Sequence, residues 1–232
     1  MTLPEISLLA LSYIVGALPI AYLVAQHTKG IDLRRFGTGQ VGGGNLWRMA
    51  GWQIGLPIIV FDIIKGALMF LAAREAGAAE GIQMTCGVLA IVGHNWSVFL
   101  KFHGGRGVAT TAGLLLTVPL ASSNSLWPFL TLFIIAVGGL VIWRSTPLPV
   151  LIGLAACPVA SLIVGDTSCA TISYMTVLTI IIIKRLTVPN RDGAPAAKSR
   201  QLFWRRLLFD RDITDRERWI YHKPENPPTE GG

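Results

Sequence analysis

Residues 93–111 read GHNWSVFLKFHGGRGVATT, a basic and glycine-rich turn between the apolar runs Ile82–Phe99 and Val108–Ala121. Glycines permit backbone conformations that other residues disfavour, and they leave N–H groups exposed for hydrogen bonds to an anion. Arg106 adds a fixed charge whose planar fork suits phosphate oxygens. A helix that begins at Val108 would favour the same anion through its dipole. The turn therefore indicates a phosphate site or, alternatively, a tight inter-helix connection with ordinary cytoplasmic charge.

The composition around this turn is that of a membrane protein. The chain is 52% hydrophobic and 14% charged, with a mean hydropathy of +0.54, and a spanning helix needs roughly 17–25 residues. Seven apolar runs are present: Ser7–Ala25, Ile54–Ala73, Ile82–Phe99, Val108–Ala121, Trp127–Trp143, Leu148–Val164 and Ala170–Ile183. The fourth and seventh are short enough to be re-entrant or buried helices instead. One seven-helix membrane domain over residues 1–184 is the simplest prediction.

The distribution of positive charge predicts the topology. Eighteen of the 20 Lys and Arg residues lie in the odd-numbered connections between runs or in residues 184–232. By the positive-inside rule, the N-terminus is outside and the C-terminus is cytoplasmic. This alternation requires all seven runs to cross, so the sequence predicts an all-α, polytopic bundle of seven transmembrane helices.

Several other classes of protein are disfavoured. Glu5 stands where a signal peptide would be basic, so no cleaved signal is expected. The three cysteines, Cys86, Cys157 and Cys169, form no CxxC pair or metal-binding spacing, so neither a disulfide nor a metal site is expected. The net charge of +7 is explained by orientation and by a basic C-terminal segment, without a nucleic-acid partner. No cofactor is predicted.

A second glycine cluster lies on the same predicted face as the first. Residues 37–45 read GTGQVGGGN, with Arg34 and Arg35 before them and Arg48 after them. Five of its nine residues are glycine, so it has no hydrophobic reason to order itself, and its backbone donors are left for water or a ligand. A flexible cytoplasmic loop is the alternative. Two basic glycine segments on one face predict a shared anionic ligand.

An ionisable pair lies inside the second apolar run. Asp62 and Lys65 are three residues apart, on one face of a helix, and Gly66 follows. Charged groups within a bilayer are costly and usually face the interior of the bundle, where they pair or contact substrate. The pattern is compatible with a structural ion pair and with a lysine that reaches toward a phosphate.

Three patterns carry a family resemblance. They are Gly37–Asn45 followed by Arg48 and Gly51, then Asp62-x-x-Lys65-Gly66, then Gly93-His94 through Thr110. In these patterns the chain resembles the integral-membrane acyl-phosphate:glycerol-3-phosphate acyltransferases, the PlsY family. Thr38 replaces a serine of that family, and Arg106 replaces a lysine. The family's third motif, which follows the last helix, is not recognisable at residues 184–190.

The resemblance implies transfer of a fatty acyl group from acyl phosphate to the sn-1 hydroxyl of glycerol 3-phosphate, which yields lysophosphatidic acid for phospholipid synthesis. It implies a multi-pass protein of a bacterial-type inner membrane, in contact with membrane lipids and with its active site on the cytoplasmic face. The expected catalytic residues are Thr38, Arg48, Lys65 and Arg106. The expected substrate-binding residues are Gly37, Gly39, Asn45, Asp62, His94, Asn95, Lys101, Gly104, Gly105, Gly107 and Thr110.

Two alternative functions remain compatible with the sequence. An inactive paralogue that binds a phosphorylated lipid precursor would account for the unrecognisable third motif. A small organophosphate transporter would use Asp62 and Lys65 as pathway residues, although no inverted repeat is visible.

A different acyltransferase class has a short His-x-x-x-x-Asp motif in which the histidine is the base. His27 and Asp32 have that spacing. The pattern carries little information, and it straddles the end of the first predicted helix, so we interpret it as a chance match.

From residue 185 onward, the chain is predicted to form a cytoplasmic basic tail. Gln201–Phe209 combines aromatic and leucine residues with Arg205 and Arg206, which is typical of a short amphipathic helix on an anionic leaflet. A loosely packed tail element is the alternative. Arg191–Lys198 is predicted to be a linker, and Pro224–Gly232 is predicted to be disordered.

Overall fold

In the computed structural model, which describes residues 2–188 and 199–224, the chain is built from α-helices. Their bounds are α1 Leu3–Ala17, α2 Ile20–Lys29, α3 Gly43–Ala50, α4 Trp52–Glu75, α5 Glu80–Asn95, α6 Val108–Ala121, α7 Trp127–Trp143, α8 Pro147–Val164, α9 Ser168–Leu186, α10 Ser199–Phe209 and α11 Arg216–Ile220. The predicted linker at residues 191–198 lies outside the described residues, as does all of the predicted disordered end except Pro224. The all-α prediction is confirmed.

Each of the seven apolar runs contains a helix, and four helical segments are long and apolar enough to cross a membrane. These four are Leu3–Lys29, Trp52–Glu75, Pro147–Val164 and Ser168–Leu186. Helices α6 and α7 are apolar but shorter. The outer faces expose large apolar side chains, such as Ile64, Val141 and Ile163. Such faces would be unfavourable in water and suit a hydrocarbon environment.

The first apolar run is broken into two helices at Leu18 and Pro19. Proline lacks an N–H group and restricts the residue before it, and Leu18 has an extended ψ of 116°. The break leaves carbonyl groups near the end of α1 without helical partners. Two of them, at Gly16 and Leu18, accept hydrogen bonds from Lys65 Nζ at 3.1 and 3.4 Å.

Helix α4 is the centre of the N-terminal half of the bundle. It packs against α3, α5 and α6, and α1 packs on α5. The crossing of α4 and α6 is close because Gly66 faces the Thr110 carbonyl and Gly113 faces the Ile63 carbonyl, where a Cβ atom would collide. Small residues at helix crossings permit such close packing in membranes. The crossing fixes the Asp62–Lys65 face of α4 beside the turn that leads into α6.

The C-terminal segment, residues 199–224, folds back onto the bundle. Helix α10 packs against α8 and α9, and Arg206 donates to Asp212 at 2.7 Å and to the Leu186 carbonyl at 3.2 Å. Trp219 of α11 is buried. Phe203 and Trp204 of α10 are exposed, and their insertion into a membrane surface stays a prediction.

Candidate functional site

The first glycine segment, residues 37–45, is held in shape by the side chain of Asn45. Its carbonyl oxygen accepts a hydrogen bond from the Thr38 N–H group at 2.9 Å. Its amide nitrogen donates to the carbonyls of Phe36 and Gln40, both at 3.0 Å. Asn45 is 3% exposed, so the bonds are shielded from water. The Asn45 amide therefore contributes three hydrogen bonds to the order of this segment, which apolar patterning does not reveal.

The second glycine segment, residues 93–107, connects α5 to α6. Helix α5 ends at Asn95, a short 3-10 helix follows at Val98–Leu100, and α6 begins at Val108 as predicted. Lys101 and Gly107 have positive φ angles of 53° and 67°. Glycine adopts such angles without strain, whereas other residues adopt them less often. The connection is therefore a folded turn.

The two glycine segments contact each other over His94. The Val41 N–H group donates to the Gly104 carbonyl at 3.4 Å, and the Gly105 N–H group donates to the His94 carbonyl at 3.0 Å. A Cβ atom on Gly105 would collide with Nε2 of the His94 imidazole. Close approach to the ring therefore requires glycine at this position. The proximity predicted for the two segments is observed.

A buried polar cluster adjoins this contact and is formed by Asp62, Lys65 and His94. Lys65 Nζ is 3.0 Å from Asp62 Oδ1 and 3.3 Å from His94 Nδ1, and His94 Nδ1 is 3.4 Å from Asp62 Oδ1. With the bonds to the Gly16 and Leu18 carbonyls, Lys65 has more partners than protons. The adjoining cavity is about 10 Å³, which is room for one water molecule at most. This arrangement leaves no proton of Lys65 for a phosphate.

The other predicted cations lie nearer the surface. Arg106 is 10% exposed, and its Nε donates to Asp210 Oδ1 at 2.7 Å. Arg48 is exposed on α3 and donates to the Gly44 carbonyl at 3.2 Å. Lys101 is exposed at the tip of the second segment. Among the predicted cations, Arg106 is the one that lies beside both glycine segments and keeps nitrogen atoms without a partner in the described residues.

Several predicted site residues carry buried polar atoms that have no hydrogen-bond partner among the described residues. They are the Thr38 hydroxyl, both polar atoms of the Asn95 amide and the Thr110 hydroxyl. Buried polar groups are normally satisfied, so each such atom requires a water molecule, a ligand or a local rearrangement. Thr38 and Asn95 belong to the two glycine segments. Each segment therefore carries a buried polar side chain without a partner among the described residues.

The C-terminal segment covers this region, which the sequence did not indicate. Gln40 donates through its side-chain amide to Asp210 Oδ2 at 2.7 Å, and the Gly37 N–H group donates to the His222 carbonyl at 2.9 Å. Lys184, at the end of α9, is buried with its Nζ 5.2 Å from the centre of the Trp96 ring. None of Gln40, Lys184 or Asp210 was predicted as a site residue. No local motif marks them, because their partners are distant in sequence.

The His27 and Asp32 spacing is not associated with a site in the structure. His27 is exposed in the last turn of α2, and the Asp32 carboxylate accepts hydrogen bonds from Arg34 Nε and Nη2 at 3.0 and 2.6 Å. Burial alone would raise the pKa of Asp32, but the bonds and charge of Arg34 hold this pKa below its ordinary value. Asp32 therefore acts as a partner of Arg34.

No group of three or more His, Cys, Asp or Glu side chains suited to a metal ion occurs in residues 2–188 and 199–224.

Comparison with known proteins identifies relatives of this chain. A family model described as glycerol-3-phosphate acyltransferase matches residues 6–189. Glycerol-3-phosphate acyltransferase 5 of Dehalococcoides mccartyi is 35% identical over 229 residues, which cover 95% of this chain and 94% of the relative. Glycerol-3-phosphate acyltransferase 2 of Moorella thermoacetica is 45% identical over 123 residues, or 53% of this chain and 61% of the relative.

A solved structure shares the fold. The crystal structure of PlsY (YgiH), an integral membrane glycerol 3-phosphate acyltransferase in its glycerol 3-phosphate form, superimposes with a TM-score of 0.69 at 24% sequence identity. The match covers 78% of this chain and 88% of that chain. The helices of this chain are therefore arranged as in an integral membrane protein of known structure.

Proposed function

The chain belongs to the glycerol-3-phosphate acyltransferase family, and from this premise we propose that it transfers a fatty acyl group from acyl phosphate to the sn-1 hydroxyl of glycerol 3-phosphate. The products are lysophosphatidic acid and inorganic phosphate. One observation carries this proposal: the two glycine segments are in contact, with Arg106 beside them. A reaction between two phosphorylated substrates needs such a place, where backbone N–H groups and a cation converge.

The chemistry asks for positioning more than for a nucleophilic side chain. The substrate hydroxyl oxygen forms a bond to the acyl carbon, and the bond from that carbon to the phosphate oxygen breaks. The leaving phosphate takes the electron pair, and we propose that a substrate phosphate oxygen takes the hydroxyl proton. Because acyl phosphate is an activated mixed anhydride, alignment and charge neutralisation supply most of the required catalysis.

We assign the residues in three groups. Thr38, Arg48 and Arg106 contact phosphate oxygens, together with Lys101 and the N–H groups of Gly104 and Gly107, because the predicted donor Gly105 N–H is already bonded to the His94 carbonyl. Asn45 orders the first segment, while Asp62 orients His94, whose carbonyl accepts from Gly105 of the second segment. Asn95 and Thr110 support the turn before α6. A phosphate contact by Lys65 would require this lysine to leave the carbonyls of Gly16 and Leu18, so its contribution in this arrangement is to anchor Asp62 and His94.

We further propose that residues 1–184 form a seven-span domain of the inner membrane, with the N-terminus outside and the tail and active site in the cytoplasm. Single cysteines in a cysteine-free background test this topology. A thiol reagent that does not cross membranes should label Ser123→Cys in intact cells. It should label Arg35→Cys only after the cells are permeabilised, and the reverse pattern would contradict the proposal.

The activity is tested with the protein purified in detergent, acyl phosphate and radiolabelled glycerol 3-phosphate. Labelled lysophosphatidic acid is expected with acyl phosphate, and much less product with acyl-CoA. Binding of glycerol 3-phosphate without product would favour the inactive paralogue. Uptake of glycerol 3-phosphate into proteoliposomes without product would favour the transporter.

A further inference from the structure

We propose that Asp210, in the C-terminal segment, is a positioning residue of the phosphate site that sets the orientation of Arg106 and Gln40. The inference rests on the proposed function, because it treats Arg106 as a ligand of a substrate phosphate. It assigns the C-terminal segment a part in the active site. In this view the site is assembled from three parts of the chain, and the last comes from beyond the membrane helices.

The Asp210 carboxylate joins the two glycine segments. Its Oδ1 atom accepts from Arg106 Nε at 2.7 Å, and its Oδ2 atom accepts from the Gln40 amide at 2.7 Å. Asp210 is 9% exposed, so both bonds are largely protected from water. One carboxylate thus fixes one side chain from each segment. Charge-assisted bonds of this length are among the stronger ones in proteins.

The bond to Nε leaves the rest of the Arg106 guanidinium available. Its two terminal nitrogens have no hydrogen bond or ion pair with the residues that the structure describes. A guanidinium held by its Nε atom can present these nitrogens as a planar fork to two phosphate oxygens. A lysine at this position could not divide its contacts in the same way, because its donors share one nitrogen atom.

The surrounding charges make this place suitable for an anion even with Asp210 present. Lys184 and Arg185, at the end of α9, interact electrostatically with both Arg106 and Asp210. Lys184 is 6% exposed and makes no hydrogen bond to the described residues. The guanidinium groups of Arg106 and Arg185 therefore outnumber the one carboxylate with which both interact. The excess positive charge offsets the repulsion that Asp210 would otherwise exert on a phosphate.

The backbone fixes Asp210 in place. It follows the last residue of α10 with a φ angle of 52°, in the left-handed region that Asp and Asn tolerate better than most residues. Its N–H group donates to the Arg206 carbonyl at 3.0 Å, and Arg206 is bonded to Asp212 and to the Leu186 carbonyl. The carboxylate is therefore carried on a helix end that is attached to α9.

Asp210→Asn is the informative variant, because asparagine keeps the size of the side chain and tolerates the left-handed backbone while the charge is lost. In the purified full-length protein, we expect the KM for a phosphorylated substrate and the Kd for inorganic phosphate to rise about tenfold, as for a lost hydrogen bond to a charged group. We expect kcat to stay within about twofold. Asp210→Glu should recover part of the loss.

Two comparisons separate positioning from a general loss of structure. Asp215→Asn removes another tail carboxylate, which accepts from the Arg218 N–H group and does not bond to Arg106, so it should leave the Kd for phosphate unchanged. In an Arg106→Gln background, Asp210→Asn should add little to the Kd, because coupled residues are not additive.

The outcomes distinguish this inference from the proposed function. Unchanged or tighter phosphate binding by Asp210→Asn would overturn the inference, and tighter binding would show that the carboxylate competes with the ligand for Arg106. A wild-type protein that binds no phosphate would overturn it as well. A weakened phosphate affinity in the variant, together with a wild type that forms no lysophosphatidic acid, would support the inference and refute the proposed function.

Discussion

Lys65 and Arg106 are both cations of the candidate site, with side chains 2% and 10% exposed, but their surroundings differ. Lys65 contacts a carboxylate, an imidazole and two backbone carbonyls. Arg106 is bonded to one carboxylate through Nε. A buried cation whose protons are all used stabilises the fold, whereas a cation held at one edge can bind a ligand with the other. From these partners, and not from burial, we infer a structural role for Lys65 and a ligand-binding role for Arg106.

The largest effect is expected from Lys65→Met, which tests the structural half of this comparison. The change leaves the buried Asp62 carboxylate without its cation and the Gly16 carbonyl without its donor. The free energy of unfolding in detergent should fall by about 3–5 kcal/mol. Lys29→Met, at an exposed lysine, should change it by less than about 0.5 kcal/mol. A Lys65→Met protein that is stable but inactive would mean that Lys65 acts in the reaction.

Arg106→Gln tests the functional half. Glutamine can still donate to Asp210 but cannot offer a charged fork, so kcat/KM should fall about a hundredfold, or about 2–3 kcal/mol. The thermal midpoint should change far less than in Lys65→Met. Arg35→Gln, at an exposed arginine near the first segment, serves as the matched control. Loss of folding in place of activity would contradict the distinction between the two cations.

Gly105→Ala tests the contact between the glycine segments. The added methyl group would collide with the His94 ring and force the segments apart. The free energy of unfolding should therefore fall by about 1–3 kcal/mol, and the activation free energy for kcat/KM should rise by about the same amount. At Gly44, a Cβ atom would meet no atom within 4 Å, so Gly44→Ala should be nearly neutral. Thermal unfolding and steady-state kinetics of the two variants provide the measurement. Equal behaviour of the two variants would argue against close packing on His94.

The smallest effect is expected at the Asp32–Arg34 pair, which is partly exposed. Asp32→Asn should lower the free energy of unfolding by about 0.2–1 kcal/mol at pH 7. Because the pKa of Asp32 in the folded protein lies below its ordinary value of 3.8, the stabilisation is present above that value and disappears as the pH falls through the folded pKa. The difference in unfolding free energy between wild type and variant should therefore vanish in acid. A difference that persists there would mean that Asp32 acts through packing.

Much of the fold could be predicted from the sequence, but two features were missed. All seven apolar runs contain helices, and the turn before α6 ends where it was predicted to end. The break at Leu18 and Pro19 was missed, although Pro19 was its visible signal. The order of the first glycine segment was missed because it depends on the Asn45 side chain and on partners distant in sequence, such as the Gly104 and His222 carbonyls.

The candidate site, too, could be predicted only in part. The two glycine segments were predicted to lie together, and they do. The contacts of Asp210 were not predictable, because its partners Arg106 and Gln40 lie 104 and 170 residues earlier in the chain. No role was predicted for Asp210 from the sequence.

The sequence by itself determined that this is an all-α membrane protein with two basic glycine segments, because hydropathy and glycine content are properties of neighbouring residues. The tertiary structure alone decided that the protons of Lys65 go to carbonyls freed by a helix break, and that Asp210 holds Arg106. Those choices depend on which groups meet in space once the helices pack, and a buried charge takes its partners from whatever packing brings within hydrogen-bonding distance.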